Sequence, residues 1–300
     1  MNRRDFLKSG TSILSLFGTS NLMAAFSKDM GFEDFFYNIF SSNEDLNKEN
    51  NNFIKDSITI ELDEKQISSK SYVKKDLLTD VLIEDNVYDS FLSVRKKLNL
   101  VQRHIGYGNF NILSFDEMLK IAKYSNNINA FSKKELEFLE SIFYYDPSVH
   151  GFYGERISEN ITDTINKKEV KKIPHTGHYL FKGEPEKIYY QMVKDIGNSL
   201  TLTSGVRSIV KQTKLFLDKV YSVEGNLTIA SKSLAPPAYT YHSIADFDVG
   251  KKGFGKSNFS SRFALTDEFF KMRKLKYIDM RYTVNNKDGV RYEPWHVKII

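Results

Sequence analysis

The chain has 300 residues, 41% of them apolar, enough for one large domain or two ordinary ones with a sizeable core. It has no cysteine, which excludes disulfides, thiolate chemistry, cysteine-held metals and cysteine lipidation, and leaves six histidines and the carboxylates to hold any metal. The formal charge of +5 is interleaved with 38 acidic residues and is too weak to indicate nucleic acid.

The stretch NRRDFLK, Asn2–Lys8, joins two arginines to an aromatic, a leucine and a lysine, and a short apolar run, Ile13–Phe17, follows. That run is too short to span a membrane. Residues 1–25 therefore read as a twin-arginine export signal. Such a signal implies passage of the folded protein to the periplasm or the cell exterior, with no stable membrane anchor after cleavage. Leu22 or Met23 stands where a small residue is expected, so the cleavage site is blurred.

Residues 26–169 read as a mainly helical region without chemistry of its own. The polar, Asn-rich segment Ser41–Asn52 is a loop. Ser114 with Glu117, and Ser132 with Glu135, form capping-box pairs ahead of apolar runs, with Leu113 and Met118 placed as a hydrophobic staple. Leu136, Leu139, Ile142 and Phe143 share one helical face and belong to a core.

The texture changes near residue 170. GEPEKIYYQMVKDIG reads as a helix, with Pro185 in its first turn and Gly197 past its end. SLTLT (Ser199–Thr203) alternates as a strand, and SIVKQTKLFLDKVY reads as a second helix. After residue 224 the short β-type runs NLTIA, FDVG, YIDMRYTV and YEPWHVKII alternate with Gly, Pro and Ser. Helices ahead of a small antiparallel sheet make an α+β domain over residues 170–300.

Four pieces of this half carry possible chemistry. Arg207 sits where a strand turns into a helix, just past Gly205, and can offer a rigid fork of donors to a carboxylate or an oxyanion. His242 precedes Asp246 and Asp248. Two ligands of one zinc ion bring their donor atoms to about 3 Å, whereas six residues of straight strand span about 20 Å. Ser243–Asp246 must therefore fold back if His242 and Asp248 share a metal. Glu293 and His296, three apart, would face opposite sides of a regular strand. Pro294 permits a bulge or edge position that brings both to one centre, and Trp295, the only tryptophan, is placed to fill the core behind. His175 and His178 have a spacing that can ligate a metal but read better as pocket lining or support. Taken singly, each piece has an ordinary reading as a surface side chain or an edge strand.

In order, SGVRSIVKQ from Ser204, TYH from Thr240 with an aspartate a short way on, and EPWH from Glu293 resemble the VanY-type D-alanyl-D-alanine carboxypeptidases, zinc peptidases of bacterial peptidoglycan. The resemblance covers roughly residues 170–300. It implies Zn2+ as cofactor, His242, Asp248 and His296 as its ligands, and Glu293 as the catalytic base. It implies Arg207 as the group that stabilises a substrate carboxylate or an oxyanion, and Ser204, Gln212 and Thr240 as residues that line or brace the pocket. The family's spacing from His to Asp is one residue longer and carries a Gly where Ala245 or a gap falls here, so Asp246 stays open beside Asp248. The implied substrates are peptidoglycan stem peptides and the implied reaction is removal of a terminal D-alanine. Endopeptidase or dipeptidase action is the alternative within the same fold. A non-catalytic wall-binding module is the alternative of another class, and the intact Glu293 speaks against it.

Overall fold

A computed structural model describes residues 80–299. The expected export signal and the loop at 41–52 lie outside these residues.

Helix α1 (Asp85–Ile105) buries Phe91, Val94, Leu98 and Val101 at three- and four-residue intervals, so a single stripe faces inward. The short α2 (Tyr107–Phe110) follows, then α3 (Phe115–Tyr124) and α4 (Lys133–Tyr144). Both α3 and α4 open on the expected capping boxes. Ser114 Oγ accepts from Glu117 N at 3.3 Å while Glu117 Oε2 accepts from Ser114 N at 3.0 Å. Ser132 and Glu135 repeat the exchange at 3.3 and 2.6 Å. Each box satisfies donors that a helix N-terminus otherwise leaves free.

The second half begins with a hairpin of β1 (Val170–Lys172) and β2 (Tyr179–Phe181). Helix α5 (Glu184–Ile196) has Pro185 in its first turn and stops at Gly197, whose φ of 122° an L side chain rarely adopts. Next come β3 (Leu200–Ser204), α6 (Ile209–Ser222), α7 (Leu227–Ser231), β4 (Phe247–Lys251), α8 (Asp267–Met272), β5 (Asp279–Met280) and β6 (His296–Lys298). The four longer-range strands form one antiparallel sheet in the order β3-β4-β6-β5. This is the α+β architecture expected of the C-terminal half.

Two hydrophobic clusters hold the elements that carry the site. The first joins Phe91, Leu98, Phe110, Met118, Phe138 and Phe143 to Phe216, Leu217 and Val220 of α6. Full burial of each such side chain contributes about 1.5–3 kcal/mol, so the N-terminal helices clamp α6 and with it the turn that carries Arg207. The second cluster lies between α5, α8 and the sheet, and contains Met192, Leu202, Phe247, Val249, Phe269, Trp295 and Val297. No helix among the described residues is long and apolar enough to cross a membrane.

Three local readings are corrected. NLTIA is helix α7 rather than a strand, because Asn226 Oδ1 accepts from Ile229 N at 2.8 Å and caps the turn. In YIDMRYTV only Asp279–Met280 pairs, with β6. The following residues leave the ladder, with Arg281 bonded to Asp246 and Tyr282 O accepting from Glu293 N at 3.0 Å. The long α1 and the β1–β2 hairpin add to the elements read from the sequence, although α1 has a clear helical period.

Candidate metal centre

The sheet register builds the site. Phe247 and Val249 of β4 face the second cluster, so Asp248 between them faces the other way. Across the ladder Asp248 pairs with His296 of β6 and with Ser204 of β3. The β3–β4 register slips between Leu202 and Ser204. Without that slip Thr203 would stand opposite Asp248; the bulge moves Ser204 there instead. Three adjacent strands thus present Ser204, Asp248 and His296 on one face.

His242 reaches the same point by a tight reversal. A 3-10 turn spans Tyr241–Ser243, and Tyr241 O accepts from Ile244 N, Ala245 N and Asp246 N at 3.1, 3.2 and 3.3 Å. The chain between His242 and Asp248 folds back in this way. Two bonds then tie the turn to β3's end: Arg207 N donates to His242 O at 3.1 Å, and His242 Nδ1 lies 2.9 Å from Gly205 O. Because a backbone carbonyl can only accept, Nδ1 carries the proton and Nε2 is left with its lone pair.

The donor geometry fits a metal ion. Asp248 Oδ1 lies 3.4 Å from His242 Nε2 and 3.2 Å from His296 Nδ1. Tetrahedral bonds of about 2.1 Å separate ligand atoms by about 3.4 Å. All three ligand atoms lie within 4.8 Å of one another, and all three residues are buried. His242 Nε2 and Asp248 Oδ1 have no hydrogen-bond partner. Buried polar atoms are rarely left so, and two of them facing one point, beside a third donor, match the N/O ligand set of zinc. Asp246 is not the third member. Its Oδ2 lies against the far nitrogen of the same ring, 3.0 Å from His296 Nε2.

Charge distribution follows from this packing. Burial, and then the nearby Arg207 cation, push His242 down to about 4, so it is neutral at pH 7. His296 is also buried, but Asp246 and Asp248 outweigh that effect and lift it to about 9. Its proton stands where a cation would sit. Asp248 is held well below the carboxylate range: burial opposes ionisation, but His242 and Arg207 overcome it.

Glu293 enters from a β-turn rather than a bulge. His296 N donates to Glu293 O at 3.1 Å, closing a four-residue turn with Pro294 at its second position, where a fixed φ is favoured. The turn puts Glu293 Oε2 3.8 Å from His296 Nδ1. Burial raises the Glu293 carboxyl to about 7, a value suited to taking and returning a proton. Trp295, in the same turn, is buried in the second cluster behind the site.

Arg207 is bound on three sides: Nε donates to Ser204 Oγ at 2.8 Å, Nη1 to Gln212 Oε1 at 3.4 Å, and Nη2 to Asp248 Oδ2. Gln212 is fully buried and anchors to Ala235 O at 2.7 Å. Ser204 and Gln212 thus brace Arg207. Thr240 is buried next to the His242 turn, where its carbonyl accepts from Ser243 N and Oγ at 3.2 and 2.7 Å. His175 is exposed in the hairpin loop with a positive φ of 62°. His178 is half-buried. Burial pulls it to about 4, helped by the positive charges of Lys211 and Arg207. Lys211, in the first turn of α6, is itself lowered to about 8 by burial and by Arg207. The sequence reading did not single out Lys211 or Arg281. Lys211 had a signal, since it stands one helical turn beyond Arg207.

A buried His–Asp–His donor set, with one adjacent carboxyl poised near neutrality, is a centre of the catalytic metal-hydrolase kind, in which three protein ligands leave a fourth position for water or substrate. Residues 186–300 match the family model described as VanY: D-alanyl-D-alanine carboxypeptidase. All the donors and braces described above, His175 and His178 apart, fall within it. Among solved structures, VanYB in complex with D-Alanine-D-Alanine is similar at 19% identity over 44% of this chain and 77% of that one, with a TM-score of 0.35. The vancomycin resistance D,D-dipeptidase VanXYg, in complex with a D-Ala-D-Ala phosphinate analog, is similar at 18% identity over 45% and 60%, with a TM-score of 0.35. The LdcB LD-carboxypeptidase is similar at 22% identity over 52% and 70%, with a TM-score of 0.34. No curated protein matches the chain.

Proposed function

We propose that this chain is an exported zinc metallopeptidase that removes a terminal D-alanine from peptidoglycan stem peptides, as a D-alanyl-D-alanine carboxypeptidase. The observation that carries the reading is the buried, unpartnered pair His242 Nε2 and Asp248 Oδ1, with His296 Nδ1 3.2 Å from that oxygen. His242 offers Nε2, Asp248 offers Oδ1 and His296 offers Nδ1. Zinc held by these atoms would supply Lewis-acid polarisation of the scissile carbonyl and a bound water with a pKa of about 7.

Glu293 takes the proton of the attacking water and returns it to the leaving amine nitrogen, which a carboxyl near 7 does in both directions. Arg207 has five N–H groups, of which three are engaged by Ser204, Gln212 and Asp248. The other two are free for an oxyanion or a substrate carboxylate. Its braces keep the guanidinium in place without a reorganisation cost at the moment of reaction. Lys211, in the first turn of α6, adds positive charge close enough to Arg207 to be felt by it, which favours a substrate ending in a free carboxylate over one that continues past the scissile bond. Export rests on Arg3 and Arg4 and the short apolar run behind them.

Digestion of purified muropeptides, followed by mass spectrometry, tests the reaction. The expected product has lost one D-alanine residue. Conversion of crosslinked dimers to monomers would make the enzyme an endopeptidase, and release of free dipeptide a dipeptidase. Zinc binding without any turnover would leave a wall-binding module. For export, replacing Arg3 and Arg4 together by Lys should hold the precursor in the cytoplasm.

A further inference from the structure

Asp246 lies outside the donor set, yet it is as buried as the ligands, at 2% exposure. Both of its oxygens are fully used. Oδ2 faces His296 Nε2 at 3.0 Å and accepts from Arg281 Nε; Oδ1 accepts from Arg281 Nη2 at 3.2 Å and from Ile299 N at 3.3 Å. Arg281 thus grips the carboxylate with both arms of its fork. Its guanidinium carbon lies 3.4 Å from the centroid of the Tyr241 ring, on the residue that begins the His242 turn. The His296 ring is boxed by Tyr282 at 4.8 Å and His242 at 4.9 Å between centroids, both edge-on.

An imidazole has two nitrogens, and the partner of one decides which is free to ligate. A carboxylate already saturated by a guanidinium and a backbone N–H cannot donate, so it fixes a proton on the ring nitrogen that faces it. We propose that Asp246 and Arg281 are a positioning pair: Asp246 holds the Nε2 proton of His296, and Arg281 holds Asp246, so that the Nδ1 lone pair faces the centre. The inference rests on the metal-centre reading above. It gives the two imidazoles opposite hands, His242 presenting Nε2 against a backbone carbonyl and His296 presenting Nδ1 against a carboxylate. It also accounts for the departure of YIDMRYTV from the sheet, since Arg281 must leave the ladder to reach Asp246, 35 residues earlier in the chain.

The test uses the full chain, with zinc affinity measured by competition against a chromophoric chelator and ring tautomers read by long-range 15N–1H correlation in the zinc-loaded protein. Asp246→Asn and Arg281→Met should each weaken zinc binding roughly 10–100-fold. The double variant should lose little more than either single one, because the two act as a unit. Arg281→Lys should recover part of the loss. In the wild type His296 should carry its proton on Nε2. Wild-type coordination through His296 Nε2, or zinc affinity unchanged by both single substitutions, would overturn the pairing while leaving the metal centre standing. Absence of zinc binding in the wild type would bring down the metal-centre reading and this one with it. Should Asp246→Asn fail to fold, Arg281→Lys and the wild-type tautomer still decide.

Discussion

Replacing Glu293 by Gln separates the base from the ligands. The substitution keeps size and shape, and it places a neutral group where burial already keeps the carboxyl protonated up to about pH 7. Glu293 Oε2 lies 3.8 Å from His296 Nδ1 and is none of the three proposed ligand atoms, so zinc affinity should change less than tenfold. Turnover should fall by roughly 10²–10⁴, or about 3–5 kcal/mol of barrier, the usual contribution of a general acid–base group. The same variant has a signature in the metal-free protein. The folded carboxyl titrates at about 7 and the unfolded one near 4.5. Between those values the folded state holds a proton that the unfolded state has lost, so wild-type stability falls as pH rises through this window, by about 3 kcal/mol in all. Gln has no such titration. The variant should therefore match the wild type at pH 4 and exceed it at pH 8, in urea melts of chelator-treated protein. Native-rate hydrolysis by Glu293→Gln would refute the assignment of the base. Parallel stability profiles for the two proteins would refute the burial argument.

Zinc binding at pH 8 should release close to one proton, from His296, because His242 is already neutral there. Calorimetry in buffers of different ionisation enthalpy measures it, and affinity should rise about tenfold per pH unit until His296 titrates near 9. Lys211→Met should raise KM for stem peptides with a free carboxylate roughly tenfold, the loss of one charge-assisted bond. Inhibition by the same peptide with an amidated terminus should not change. Gly205→Ala would place its Cβ 2.0 Å from Tyr179 O, so β2 or the Gly205 turn must shift. The turn's carbonyl holds His242, so a loss of about 1–3 kcal/mol in thermal stability should come with weaker zinc binding.

What the sequence made legible was what local rules determine. The capping boxes at Ser114 and Ser132, Pro185 and Gly197 at the ends of α5, and the need for the chain after His242 to reverse all follow from short-range chemistry. The strand-breaking effect of Pro294 was likewise readable, though a turn and a bulge serve it equally from sequence and only the His296 N to Glu293 O bond separates them. NLTIA misled because five residues of mixed β-branched character carry no usable period; the Asn226 cap was the better signal. The slip between Leu202 and Ser204 left no mark in SLTLTS, since either register buries the same leucines. Arg281 was invisible for a different reason. Its partner is 35 residues away, and nothing in a run read as a strand tells which charged residue will leave it.

The choice between Asp246 and Asp248 shows where sequence reasoning gives way to geometry. Both aspartates lie on the same side of an extended chain, and both follow His242 at a spacing that permits ligation. Pairing decides between them. Asp248 lies within the β4–β6 ladder directly opposite His296, whereas Asp246 precedes the ladder, at the end of the reversal that brings in His242. One imidazole ring then lies between two carboxylates, with Asp248 Oδ1 3.2 Å from Nδ1 and Asp246 Oδ2 3.0 Å from Nε2. Arg207 engages the first carboxylate and Arg281 the second. Asp248 alone retains an oxygen that faces nothing but the two imidazoles and makes no well-formed hydrogen bond, while the oxygens of Asp246 are all engaged. A cation entering this centre would therefore meet one unsatisfied carboxylate oxygen, and hydrogen-bond accounting is what favours Asp248 over Asp246 as the proposed ligand.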